Sequence, residues 1–182
     1  MIFVPTEVAG AWIIEPELNC DERGGFARTW CRRVFEERGL NSQLVQCSIS
    51  INRQCGTVRG MHFQSQPHAE TKLVRCTRGA IFDVVVDLRP ESATFAKWVG
   101  HELTEKNHRM FYVPEGCAHG FQTLADDVEI FYQNSQEYRP ENAAGVRWND
   151  PAINVQWPLP VGVILPRDVA WPDLTVPNSD HR

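Results

Sequence analysis

Short apolar runs separated by turn-forming residues dominate the chain, and their spacing predicts strands far more often than helices. Residues 73–77 lead through Arg78-Gly79 into the apolar run 81–88, and so short a turn predicts adjacent antiparallel strands. Further extended segments are predicted at 44–51, 58–64, 96–103, 110–113, 120–124 and 128–134. Turn chemistry divides them at Arg89-Pro90-Glu91, Pro114-Glu115-Gly116 and Ala125-Asp126-Asp127. The clearest helix is short, covering residues 33–38 and stopping at Gly39. Strands in succession with almost no helix between them predict an all-β antiparallel sandwich or barrel rather than βαβ units. Beyond Pro140 the pattern loosens into Asp150-Pro151, Trp157-Pro158 and Trp171-Pro172, a tail expected to wrap the barrel and to end in a short helix.

Length and composition narrow the function classes. A chain of 182 residues without linker, low-complexity tract or repeat reads as one domain, 1–182, able to bury a core without staples. A net charge of −5 gives no footprint for a nucleic-acid partner. No apolar stretch reaches bilayer length, and no basic segment precedes an apolar run at the start, so neither membrane nor export is expected. Cys20, Cys31, Cys47, Cys55, Cys76 and Cys117 show no C-x-x-C spacing, which predicts reduced, mostly buried thiols in a cytoplasmic protein.

The chemistry concentrates in two stretches. From Gly56 to His62, then Gln64, Lys72 and Gly79, the spacing resembles the first cupin motif, with Gln64 in place of its second histidine and Lys72 in place of its glutamate. Pro114, Gly116 and His119 match the second cupin motif, P-x-G-x-x-H. This resemblance implies a cupin-like antiparallel jelly-roll barrel with a few short helices. Two histidines, an amide and an ammonium make a poor divalent-metal cage and a better host for a developing oxyanion, so neither metal nor other cofactor is expected.

Longer segments resemble the dTDP-4-dehydrorhamnose 3,5-epimerase family: RGMHFQ (59–64), KLVR (72–75), FDVVVDLR (82–89), TFAKWVG (94–100), PEGCAHGF (114–121) and RWNDP (147–151), in order along most of the chain. The resemblance implies a small-molecule substrate, a nucleoside-diphosphate 4-keto-6-deoxyhexose inverted at C3, C5 or both. The ketone acidifies the neighbouring C–H bonds, and inversion then needs a base, an acid on the opposite face and an enolate stabiliser. By resemblance His62 is the base, Asp168 the carboxylate that orients it, Lys72 the enolate's partner and Tyr132 the acid. Alternation along 128–132 puts Tyr132 on the same strand face as Val128 and Ile130, an inward phenol.

For substrate binding, DERGGF (21–26) resembles the family segment that reaches into a neighbouring subunit, with Arg23 on the diphosphate and Phe26 near the base, which implies a homodimer. Arg59 matches a second diphosphate contact, Gln46 a polar contact and His119 a sugar contact, while Tyr138 and Arg167 complete the binding set. The sequence departs from the family at Arg28, at Cys47-Ser48 and at Arg167. His68, His101 and His108 lie outside the motifs and are expected at the surface, and Trp98, Trp148 and Trp157 are expected to pack rather than stack on a ligand. Two other readings stay open: a metal-dependent cupin enzyme using His62, Gln64 and His119, and a sugar-nucleotide-binding protein without turnover.

Overall fold

The computed structural model describes residues 1–175. In chain order the elements are β1 (Ile2–Pro5), β2 (Trp12–Glu15), β3 (Asn19–Asp21), β4 (Gly24–Phe26), α1 (Arg32–Glu36), β5 (Gln46–Asn52), β6 (Val58–Gln64), β7 (Lys72–Arg78), β8 (Ala80–Asp87), β9 (Trp98–Thr104), β10 (Met110–Val113), β11 (Cys117–Thr123), β12 (Val128–Asn134), β13 (Ala143–Gly145) and α2 (Pro166–Val169). A 3₁₀ turn covers Pro140–Asn142. One sheet runs β1-β2-β10-β7-β12-β5 and the other β13-β6-β11-β8-β9, while β3 and β4 form a separate hairpin. Every strand pairing within these sheets is antiparallel. This is the all-β, cupin-like barrel that the motifs imply, and its two short helices are peripheral.

Period-two alternation fills the space between the sheets. Val74, Cys76, Val128 and Ile130 from one sheet meet Ile81, Val85, Leu103 and Phe121 from the other in one apolar cluster. The outer face of the six-stranded sheet is covered along β2, β7 and β10 by Phe35 of α1, which joins Ile14, Leu73, Met110 and Tyr112. A third cluster, around Met61, Val84 and Val86, lies under the C-terminal segment and includes Trp98 and Trp157. Both tryptophans therefore pack, as expected. The tail does wrap the barrel, with the Gln122 side chain donating to Leu159 O at 2.9 Å and a parallel bridge joining Thr57 to Val163.

Three expectations are corrected. β7 and β8 are not paired neighbours, because they belong to opposite sheets. Gly79 between them adopts φ +79°, and a side chain there would meet Val128 at 2.9 Å, so the short link turns a corner between sheets instead of closing a hairpin. The cysteines are free but not mostly buried: only Cys76 and Cys117 are, whereas Cys20, Cys47 and Cys55 are exposed. His101 is half-buried and packs edge-on against Phe111 inside the barrel, unlike the exposed His108. Four N-terminal strands and β13 were not anticipated, since three- and four-residue elements give too little alternation to register.

Two local constraints hold the site's strands in place. Between β6 and β11 the register shifts, so that His62 faces His119 and Arg59 faces Phe121 with two residues on one side and one on the other. The bulge brings Gly60, at φ +144°, against Gly120, where an added Cβ would lie 2.6 Å from the Gly120 Cα. At the end of β8, buried Asp87 accepts from Arg89 Nε at 2.8 Å and from the Ser92 and Thr94 hydroxyls at 2.6 Å each, pinning the loop into β9. Burial alone would raise its carboxyl, but these donors outweigh it and bring the pKa down to about 2.

Both constraints are testable by urea unfolding. Gly60→Ala is expected to lose about 2–3 kcal/mol, because neither the φ nor the backbone contact accommodates a methyl group. Asp87 is held below its unfolded value of 3.8, so its contribution is full above that pH and is lost as pH falls through about 2. Asp87→Asn should therefore cost about 2 kcal/mol at pH 7 and progressively less below pH 4. An equal deficit at pH 7 and pH 2 would contradict the ionic account.

Candidate active site

A cavity of about 410 Å³ opens between the two sheets, and seven of the eleven residues singled out in the sequence line it. His62 and His119 come from β6 and β11 of one sheet, and Lys72 and Tyr132 from β7 and β12 of the other. Arg59, Tyr138 and Arg167 contribute to the wall. Strand alternation accounts for the choice: Arg59 and His62 flank the bulge, while Tyr132 follows Val128 and Ile130 inward.

The tail supplies the next contact. Asp168, in α2, is 1% exposed, and its Oδ1 lies 2.7 Å from His62 Nε2. Burial pushes this carboxyl up, but the His62 hydrogen bond and charge, the Gly60 N–H and the Arg167 guanidinium hold it below its ordinary value. An ionised Asp168 makes Nε2 the donor, so His62 presents its other ring nitrogen, Nδ1, as a lone-pair base. Trp171 packs edge-on against the His62 ring and lines the same cavity.

On the facing wall, Lys72 Nζ donates to the His62 carbonyl oxygen at 3.3 Å and pairs with Glu70 Oε1 at 3.2 Å. Both side chains are nearly buried, 11% and 7% exposed, so the ammonium acts in a poorly screened environment. Tyr132 is partly buried against the barrel cluster and meets the His119 ring edge-on, with centroids 5.8 Å apart. Burial, reinforced by the charge of Asp83, pushes its phenol well above the ordinary range, so the group stays protonated at neutral pH. His119 Nε2 lies 2.8 Å from Asp83 Oδ1, a second histidine–carboxylate pair that is buried on both sides.

Arg59 is oriented by buried Asn52, whose Oδ1 accepts from Arg59 Nε at 2.7 Å. Gln46 sits beyond the cavity wall, where its side-chain oxygen accepts from the Tyr138 backbone N–H at 3.0 Å. Arg23 and Phe26 are not brought to this chain's cavity. They project on the β3–β4 hairpin, where the Arg23 side chain is 85% exposed and paired only with Asp21, and Phe26 is 76% exposed. Gln64 is committed elsewhere: its amide nitrogen donates to the carbonyls of His68 and Glu137, and its oxygen accepts from Arg139 N–H. The amide that a metal triad with His62 and His119 would require is thus spent on the backbone.

Asp83, Glu70, Asn52 and Trp171 were not singled out in the sequence. Asp83 left a signal, an acid inside the apolar run Ile81-Phe82-Asp83-Val84-Val85-Val86, which is costly unless it has a purpose. Trp171 left none, because it reaches His62 from 109 positions further along the chain.

Comparison with known proteins agrees with this geometry. The profile of the dTDP-4-dehydrorhamnose 3,5-epimerase family matches residues 5–175. The enzyme of that name from Methanothermobacter thermautotrophicus is 43% identical over 175 residues, covering 94% of each chain. Among solved structures, the dTDP-4-dehydrorhamnose 3,5-epimerase of Elizabethkingia anophelis superposes with a TM-score of 0.92 at 39% identity, covering 95% of this chain and 96% of that one. The Bacillus anthracis enzyme, solved with TDP and PPi bound, gives 0.91 at 38% identity, covering 95% and 99%.

Proposed function

This chain belongs to the dTDP-4-dehydrorhamnose 3,5-epimerase family and is a carbohydrate epimerase of nucleotide-linked 4-keto-6-deoxysugars, and we propose how its residues divide the reaction. The observation that carries the proposal is the placement of His62 and Tyr132 on opposite sheets of one cavity, with Lys72 beside them.

His62 takes the proton from the carbon next to the ketone through Nδ1, while Asp168 holds the ring and stabilises the imidazolium that results. The electron pair moves onto the ketone oxygen, and Lys72 faces the enolate with a charge already desolvated. Tyr132 returns a proton from the opposite face and inverts the centre. The same pair serves C3 or C5, according to which carbon the sugar presents. Arg59 holds the diphosphate, a task suited to a planar fork that Asn52 has already oriented. Arg167 assists at the rim, Gln46 and Tyr138 frame the nucleotide end, and His119 lies on the sugar side.

The protein works as a homodimer in this reading, with Arg23 and Phe26 completing the partner's cavity. Their exposure supports it, and so do the outward face of β5 and the residue before it, where Val45, Ile49 and Ile51 are each at least half exposed. Residues 1–182 act as one domain, in the cytoplasm, in keeping with six free thiols. No helix among the described residues is long and apolar enough to cross a membrane.

The reaction is tested by incubating a dTDP-4-keto-6-deoxyglucose substrate in D₂O and following C3 and C5 by NMR. The protein should place deuterium at one or both carbons, and His62→Ala should lower that exchange by about a thousandfold or more, the scale of a lost general base. Tyr132→Phe should still exchange but invert at least tenfold more slowly, and equal loss of both activities would remove Tyr132 from the acid role. The assembly is tested by light scattering: the parent should run at twice the chain mass, and Ile49→Glu with Ile51→Glu should yield monomers with a raised KM. A monomeric parent with full activity would rule out the shared site.

A further inference from the structure

Inside the barrel, beyond the cavity wall, two ionisable side chains stand where the reaction above leaves them unused. Asp83 is fully buried, and although Oδ1 is bonded to His119, Oδ2 has no partner among the described residues. Directly across the β8–β9 ladder from Asp83 stands His101. The flanking cross-strand pairs, Ile81 with Leu103 and Val85 with Val99, all belong to the barrel's apolar cluster, so period two turns Asp83 and His101 inward as well. The buried Nε2 of His101 also lacks a partner among the described residues. Cross-strand neighbours carry their Cβ atoms about 5 Å apart, a gap that these side chains or one water can close.

The charges around this pair come from several elements. Asp83 faces His119 on β11, Lys72 on β7 and His101 on β9. His101 in turn feels the charges of Glu7, Arg109 and Asp83. A line of polar groups therefore runs from Tyr132 through His119, Asp83 and His101 toward Glu7 and Arg109.

The proton count of an inversion gives that line a task. Each inversion breaks a C–H bond toward His62 and forms another at the expense of the Tyr132 O–H, leaving an imidazolium and a phenolate. His62, with its side chain 30% exposed, can release its proton to solvent, but Tyr132 lies against the barrel cluster with a sugar in front of it. We propose that Tyr132 is reprotonated from behind, through His119, Asp83 and His101. This rests on the assignment of Tyr132 as the acid. His119 gives the phenolate the proton on Nδ1 while Nε2 takes one from the Asp83 carboxyl. His101 gives Asp83 the proton on one ring nitrogen as the other takes one from solvent, passing the proton on without holding a charge that its burial disfavours. One proton enters for each one delivered, and no electron is transferred. Burial raises the Asp83 carboxyl, which fits a group that must hold a proton at intervals.

His101→Leu and His101→Gln test the relay, the second keeping a polar side chain of similar reach that cannot pass protons at neutral pH. Rapid-quench measurements with enzyme in excess, followed by measurements with substrate in excess, separate the first inversion from those that follow. Both variants should perform one inversion per site at the parent's rate, then turn over at least tenfold more slowly, and millimolar imidazole should partly restore the second phase in the leucine variant. Steady-state rates within twofold of the parent in both variants overturn the relay. So do first and later turnovers that slow in parallel, the result expected of a packing role. A parent enzyme that labels no sugar overturns the reaction assignment and the relay with it, whereas a labelling parent with unaffected variants overturns the relay alone.

Discussion

The close approach of β6 and β11 at Gly60 and Gly120 is the constraint on which the site depends. With no Cβ on either residue the two backbones meet, and the bulge that results sets His62 opposite His119 and frees Arg59 toward the cavity. A side chain at either glycine would separate the strands and displace both histidines. The Gly60 N–H also faces Asp168 at 3.4 Å, so the same point that joins the strands helps dock the tail.

Around that point the barrel carries two histidine–carboxylate pairs of opposite character. Asp168, at the mouth, is surrounded by donors that favour its ionised form, which suits the role proposed for it beside His62. Asp83, deep in the apolar cluster, has one oxygen without a partner among the described residues and is pushed toward its neutral form. Environment rather than residue type separates the two, as general acid–base chemistry with like side chains requires. Lys72 stands between them, nearly buried and paired with Glu70, so its charge is felt strongly by anything in the cavity.

Arg23 and Phe26 stand apart from the other candidate residues. Both sit on the β3–β4 hairpin outside the cavity lining, and each is largely exposed. A site completed across subunits would tie activity to assembly, and the exposed isoleucines of β5 provide an apolar face for that contact.

The local pattern of the chain was enough to determine the barrel class and the longer strands and to single out candidate residues that the cavity gathers, while β1 to β4 and β13 left no trace in it. Alternation is written in neighbouring positions, His62, Lys72 and His119 each lie within a motif a few residues long, and Tyr132 came from resemblance together with the alternation of 128–132. Asp168 came from resemblance alone, because its place beneath His62 depends on a tail that returns across more than a hundred residues. Tertiary structure decided what local pattern cannot express. It sent β7 and β8 to opposite sheets, since a glycine turn serves a corner as well as a hairpin. It also turned His101 inward to face Asp83, and brought Glu70 and Trp171 to the cavity. Such placements depend on which strands pair and in which register, and non-local pairing leaves no periodic trace in the segments it joins.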